Sequence, residues 1–417
     1  MTRDDLLHRI TDFYFASPDF NGIPLQGIDV PPPELSRLVG ELVREGLVSL
    51  EFGDIHPNPH IKALEPPPID AQIEKLASLS PENACAYPTP GHLARVVDAA
   101  AFVDRPFALR LHLGEPQLKP YFFDLTVLES YRNDPRYHYE VNDIGGRVSV
   151  TTEHYLDDRL AAADKVVLKT FGFAYDSELN RAVAAYLRYL HSLSPEHQRI
   201  WHAKHLSGDY KLHPDYWRTT NGHWPEGISI FAAFLEEMHQ ANELVRLIGR
   251  PPFFRQEFRG DDRPKGFAFL IRPTLEEFNA FVLLLDKMIS ENINLGFFGG
   301  DVPLEEDRER PDGRVVVERK GSLRVLGEWL DSMVWLSDPR AKDDVVATFK
   351  KIREFRQRPA HAIEEDTFDH KYFKDQRDLI IEAHRAMQTL RLIFALHPAT
   401  HGYTVPEWLE SRTIWTR

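Results

Sequence analysis

The densest chemistry in this chain lies in one short run, Lys351-Ile352-Arg353-Glu354-Phe355-Arg356-Gln357-Arg358-Pro359-Ala360-His361. At 100° per residue, Val345, Phe349, Ile352 and Phe355 form one apolar stripe, at roughly 0°, 40°, −20° and −80°. Arg356 falls at about 20°, in the middle of that stripe. Lys350, Lys351, Glu354 and Arg358 take the opposite side. A guanidinium aimed into packing is costly unless it meets a counter-charge, a cleft or a partner. Arg356 is therefore expected to have a specific engagement. In an unbroken helix His361 would lie about 140° away from it. Pro359, however, removes the N–H that would bond Phe355, and its ring clashes with that carbonyl. A break there could turn His361 back toward Arg356, or the two could meet across a two-fold dimer; the sequence leaves both open. Imidazole exchanges a proton near neutrality, and guanidinium stays charged beside anionic oxygen. The bland alternative is a capping or core histidine beside a structural arginine ion pair.

The surrounding elements are helical. Between Arg340 and Arg358 seven basic residues face three acidic ones, a +4 segment in a chain of net charge −14. The overall acidity argues against broad nucleic-acid coating and leaves room for a local basic site. From about Arg272 the pattern is strongly helical. Thr274-x-x-Glu277 after Pro273 is a capping-box signature, followed by the apolar stripe Phe278, Phe281, Val282, Leu285, Met288 and Ile289. Further helices are expected near Ser322–Leu336, Pro339–Arg358 and Lys371–Leu396, which together make a helical bundle.

In that setting Arg356-x4-His361 resembles the Arg-x4–6-His motif of HEPN-domain ribonucleases, over about Arg272 to Pro398. The resemblance implies an all-α bundle that pairs as a homodimer and cuts RNA with neither metal nor cofactor. Such proteins act in toxin–antitoxin, abortive-infection and other phage-defence systems. Carried over, Arg356 and His361 are the active-site pair. The position after the arginine, commonly Asn, Asp or His in the family, is Gln357 here. The residue types suit the reaction. Histidine can move the proton from the 2′-hydroxyl toward the leaving 5′-oxygen, and arginine can hold the phosphate as charge develops. Arg353, at the edge of the stripe, is a candidate second phosphate contact, and Gln357 and Arg358 are further substrate-binding candidates. RNA is the expected partner, with homo-oligomerisation through the C-terminal bundle and a regulatory protein as a further candidate.

The rest of the chain reads as mixed α/β, so the fold class is α+β with a C-terminal all-α bundle. The expected domains are 1–65, 66–265 and 266–417. In the first, helical spacing at Leu6, Leu7, Ile10, Phe13 and Tyr14 is followed by a second helix stopped by Gly46 and a strand at Val48, Leu50 and Phe52. That order is compatible with a winged-helix DNA-binding regulator. Its second helix, carrying Glu34, Arg37, Glu41, Arg44 and Glu45, is nearly neutral and unattractive to phosphate. In the middle, alternation at Phe107, Leu109, Leu111 and Leu113 predicts a strand, Gly145-Gly146 predicts a tight turn, and Glu178–Leu193 predicts a helix.

Other candidates are weaker. His191, His197, His202, His205, His213 and His223 cluster, and His202-x2-His205 could face one way on a helix, but no Cys lies near. Tyr210, Tyr216, Trp217, Arg218 and Trp224 could stack on bases. Pro311-Asp312 followed by Glu318-x-Lys320 imitates a metal-dependent nuclease signature. Its spacing is too short for a strand pair with proper register; Asp301 would be the workable partner. No phosphate-binding loop, dinucleotide fingerprint or nucleophile elbow occurs. One cysteine, Cys85, excludes an internal disulfide or thiolate zinc cluster. With no apolar run near the roughly 20 residues of a membrane span and no signal-peptide pattern, the chain is expected to be cytoplasmic, without a membrane partner. The main rivals to a nuclease are a catalytically silent binding or oligomerisation protein and the winged-helix regulator.

Overall fold

The computed structural model describes residues 1–53, 58, 60–78, 84–259, 262–311, 314–357, 365–411 and 413–416. The chain is mixed α and β with a helical C-terminal region. It divides into two compact units, Met1–Tyr216 and Trp217–Arg417.

The first unit opens with helix α1 (Arg3–Ala16), started by a complete capping box between Thr2 and Asp5. Helix α2 (Pro32–Arg44) buries Leu35, Leu38, Val39, Leu42 and Val43. It ends at Gly46, whose φ of 67° only glycine adopts cheaply. Strands β1 (Ile23–Pro24), β2 (Val48–Phe52) and, after helix α3 (Ile69–Ser78), β3 (Ala84–Pro88) form an antiparallel sheet in the order β1-β3-β2. The central strand thus comes from beyond residue 65, so the segment 1–65 does not close a sheet of its own.

A second antiparallel sheet runs β4-β8-β7-β6-β5, with β4 at Pro120–Phe123, β5 at Tyr137–Val141, β6 at Gly145–Val150, β7 at Val167–Tyr175 and β8 at Arg181–Tyr186. The short β9 (Lys211–Leu212) adds to the end of β7. Three expectations are corrected here. Residues Pro106–His112 form a helix rather than a strand. Pro106 sits in its first turn, and the buried Gln198 side chain accepts from Phe107 N and Ala108 N at 3.1 and 3.2 Å, a cap supplied 91 and 90 residues away. The alanine-rich run predicted as helix is β8, a strand paired on both edges, where Ala184 stands opposite Gly172 and Ala182 to Ala185 are fully buried. Burial between neighbours overrides alanine's helical preference. Gly145 and Gly146 belong to β6 itself. A Cβ would stand 2.1 Å from Phe171 O at the first and 2.1 Å from Glu140 O at the second. The turn before them is closed by Asn142, whose side-chain oxygen accepts from Ile144 N and Gly145 N.

The second unit packs helices α4 (Ile230–Ile248), α5 (Leu275–Ile289), α6 (Ser322–Met333), α7 (Arg340–Gln357) and α8 (Lys371–Ala395) around one apolar core. Helix α4 lies along α8, and α7 packs on α5, α6 and α8. Because α4 buries Phe231, Phe234, Met238 and Val245 in that core, the bundle includes residues the sequence reading grouped with 66–265. Half of the expected capping box at α5 forms. Thr274 accepts from Glu277 N at 3.3 Å, whereas the Glu277 carboxylate turns to Arg272. Between α5 and α6 the strands β10 (Glu305–Glu309) and β11 (Val315–Arg319) make an antiparallel hairpin.

Candidate functional site

Helix α7 carries the stripe its spacing demands: Val345, Phe349 and Ile352 are fully buried, and Phe355 meets Phe278 edge to face. Arg356 emerges beside them and points across to the end of α5. Its Nη1 donates to Asp286 Oδ2 at 2.6 Å and also to the Glu291 carboxylate. Arg353, one turn earlier, brings its Nε to 3.6 Å from Asp286 Oδ1. Asp286 is completely buried, whereas the Arg356, Arg353 and Glu291 side chains keep 31%, 30% and 44% exposure, so solvent reaches the pair from the outside only. Hydrogen bonds from Arg356 to Asp286 and Glu291 stabilise the guanidinium's charge, raising its pKa beyond the usual arginine value.

The location makes physical sense of the charge. Asp286 sits in the last turn of α5, where its backbone carbonyl accepts from Ser290 N and Glu291 N. A carboxylate there opposes the helix dipole, and a buried one without partners would be expensive. Two guanidiniums offset both costs. Asp286 Oδ1 and the neighbouring buried Ser290 Oγ have no hydrogen-bond donor or acceptor among the described residues. A third arginine joins from a separate loop: Arg255 donates from Nη2 to Glu291 O, and its own N–H to Asn292 O. Within this cluster, three arginines against two carboxylates leave one net positive charge.

Of the residues singled out from sequence, Arg356 and Arg353 meet at this point, and Gln357 is the exposed last residue of α7. Arg358 and His361 lie outside the described residues. Sequence reasoning missed Asp286, Glu291 and Arg255. For Asp286 a signal existed: counted from Phe278, it falls at about 80° on the α5 wheel, at the edge of the stripe, the mirror of the argument that found Arg356. Glu291 and Arg255 carry no comparable mark.

Several of the other candidates take structural roles. His197 Nδ1 pairs with Tyr131 OH at 2.7 Å, and Trp201 Nε1 donates to the same hydroxyl at 2.9 Å. His202 packs edge-on to Phe107, and His205 lies beside Tyr121 and Phe123. No group of three or more His, Cys, Asp or Glu among the described residues could hold a metal ion. Tyr216 is buried and stacked on Tyr186 rather than offered to a base, whereas Trp224 is 88% exposed. In the hairpin Glu318 accepts from Arg308 at 3.0 Å, Lys320 donates to Glu328 at 2.6 Å, and Asp301 accepts from Arg250 and Trp329. Each described carboxylate of that nuclease-like pattern is engaged by a protein donor; Asp312 lies outside the described residues. No helix among the described residues is long and apolar enough to cross a membrane. The chain matches no protein-family model, and none of the curated proteins or solved structures matches it.

Proposed function

We propose that this chain is a metal-independent RNA endonuclease whose C-terminal helical unit is HEPN-like, acting in the cytoplasm as a toxin or phage-defence effector. His361 moves the proton between the 2′-hydroxyl and the leaving 5′-oxygen, and Arg356 stabilises the charge on the phosphate. Arg353, Gln357 and Arg358 hold the substrate backbone. A homodimer through the bundle would supply a second copy of the pair. The observation that carries the reading is Arg356: a guanidinium aimed off a buried stripe, held by a buried carboxylate yet one-third open to solvent, five residues before His361 in the sequence. A charged donor fixed in place before substrate arrives needs little reorganisation when charge develops.

The test is an RNase assay in the presence of chelator with wild type, Arg356→Ala and His361→Ala. Cleavage by wild type alone supports the reading. Undiminished cleavage by His361→Ala sinks the assignment of the proton carrier.

A second reading rests on a specific observation as well. Both carboxylates bound to Arg356 are what a purely structural clasp between α5 and α7 would show. The bundle would then be a catalytically silent binding or oligomerisation module, and the assay would show no cleavage at any pH from a folded, oligomeric protein.

A further inference from the structure

Three guanidiniums from two stretches of chain, Arg255 from a loop and Arg353 and Arg356 from α7, gather at the end of α5, and each has an acidic or carbonyl oxygen of Asp286 or Glu291 as its partner. The two carboxylates differ in kind. Asp286 is fully buried and is reached by both Arg353 and Arg356, so its departure would strip two guanidiniums of a buried counter-charge. Glu291 stands beyond the end of α5 with 44% of its side chain exposed and, among the described residues, one ion-pair partner, Arg356. Its carboxylate shares Arg356 Nη1 with Asp286 and is the solvent-exposed one of the two. A phosphodiester offers the same thing to that guanidinium, an anionic oxygen accepting an N–H. We propose that Glu291 is a built-in occupant of a three-arginine phosphate site, displaced when an RNA backbone phosphate binds, with Arg255 as an additional backbone contact. Asp286 stays in place as the positioning residue.

The proposal rests on the RNA-binding part of the function above and adds to it a gate and a contact. Displacing Glu291 exchanges one exposed ion pair for another, so the gate is shallow. It lowers affinity for anions and does not block the site. Once displaced, Glu291 remains near the phosphate as a like charge and speeds its release.

The experiment measures binding of a uniformly 2′-O-methylated RNA oligonucleotide by fluorescence anisotropy across a salt series, since the methyl group removes the attacking hydroxyl and separates binding from cleavage. The variants are Glu291→Gln, Arg255→Ala, Glu291→Gln combined with Arg356→Ala, and Glu354→Gln. Glu354 is exposed on α7, and its substitution controls for net charge. Glu291→Gln is expected to bind roughly two- to five-fold tighter than Glu354→Gln, the worth of an exposed ion pair. The gain should vanish when Arg356 is also replaced. Arg255→Ala should weaken binding and lower the log–log salt slope by about 0.7, one single-strand phosphate contact. Binding by Glu291→Gln equal to or weaker than by Glu354→Gln overturns the gate, as does a gain that survives without Arg356. Cleavage of unmodified RNA is scored separately. A tighter Glu291→Gln in a protein that never cuts RNA upholds the site and refutes the nuclease, whereas cutting with no Glu291 effect does the reverse.

Discussion

Arg356 and Asp286 meet at 2.6 Å although 70 residues separate them in the chain. The relationship joins the last turn of α7 to the last turn of α5. It fixes a charged group where helix spacing alone would have buried it. Replacing Asp286 by Asn keeps the shape and removes the charge, leaving Arg356 to the exposed Glu291. Stability should fall by about 1–3 kcal/mol, the cost of losing a charge-assisted bond at a buried group, read as a shift in urea midpoint. In the proposed nuclease, cleavage should fall more than tenfold, because the guanidinium loses its fixed aim. A variant that unfolds at the wild-type midpoint would show that the pair contributes little.

Lysine is a poor substitute for this arginine. Arg356 reaches both carboxylates from Nη1 alone, so the rest of its planar fork can meet a phosphate bidentately, whereas an ammonium is a point donor on a flexible stem. Arg356→Lys should therefore be nearly as impaired in RNA cleavage as Arg356→Ala while remaining the more stable of the two. Full activity in the lysine variant would mean that a positive charge alone suffices.

Deeper in the bundle Arg391 of α8 donates to Glu237 of α4 at 2.5 Å, with 4% and 0% side-chain exposure. Breaking one half of such a pair strands the other in the core. Arg391→Leu should cost roughly 3–5 kcal/mol, and the double Glu237→Leu/Arg391→Leu variant should recover most of it. Thermal melts of both variants check this. A double variant no better than the single would show that the pair holds α4 on α8 by more than charge.

His384 of α8 gives the bundle a pH dependence of known sign. Burial pushes its pKa down to about 4, with nearby Arg385 and Arg391 adding to the shift. The unfolded chain protonates this imidazole near pH 6.5 while the folded chain keeps it neutral. The unfolded state thus binds the extra proton first, and stability present above pH 6.5 is lost as pH falls toward 4. The full contribution is on the order of 3 kcal/mol. His384→Gln should flatten the stability profile across that window, measured as urea midpoints from pH 7 to pH 4. A profile as steep as wild type would assign the acid sensitivity to other groups.

How much of this was legible in the residues varies by element. The stripe of α7 and the inward Arg356 follow from a period of 3.6 residues, which is local and survives any tertiary context. The same holds for the Gly46 stop and the apolar face of α5. Segments whose apolar residues satisfy two periods were not decidable locally. Phe107 to Leu113 alternates like a strand and yet also repeats at i and i+4, and the distant Gln198 cap settles it as helix. Ala182 to Ala185 favours a helix until β4 and β7 take both its edges.

The sequence by itself determined that one arginine would turn inward near the end of a basic amphipathic helix, because side-chain direction in a helix is set by counting residues. Only the tertiary structure decided what that arginine meets. Asp286, Glu291 and Arg255 come from other parts of the chain, and a charge selects its partner by distance in space.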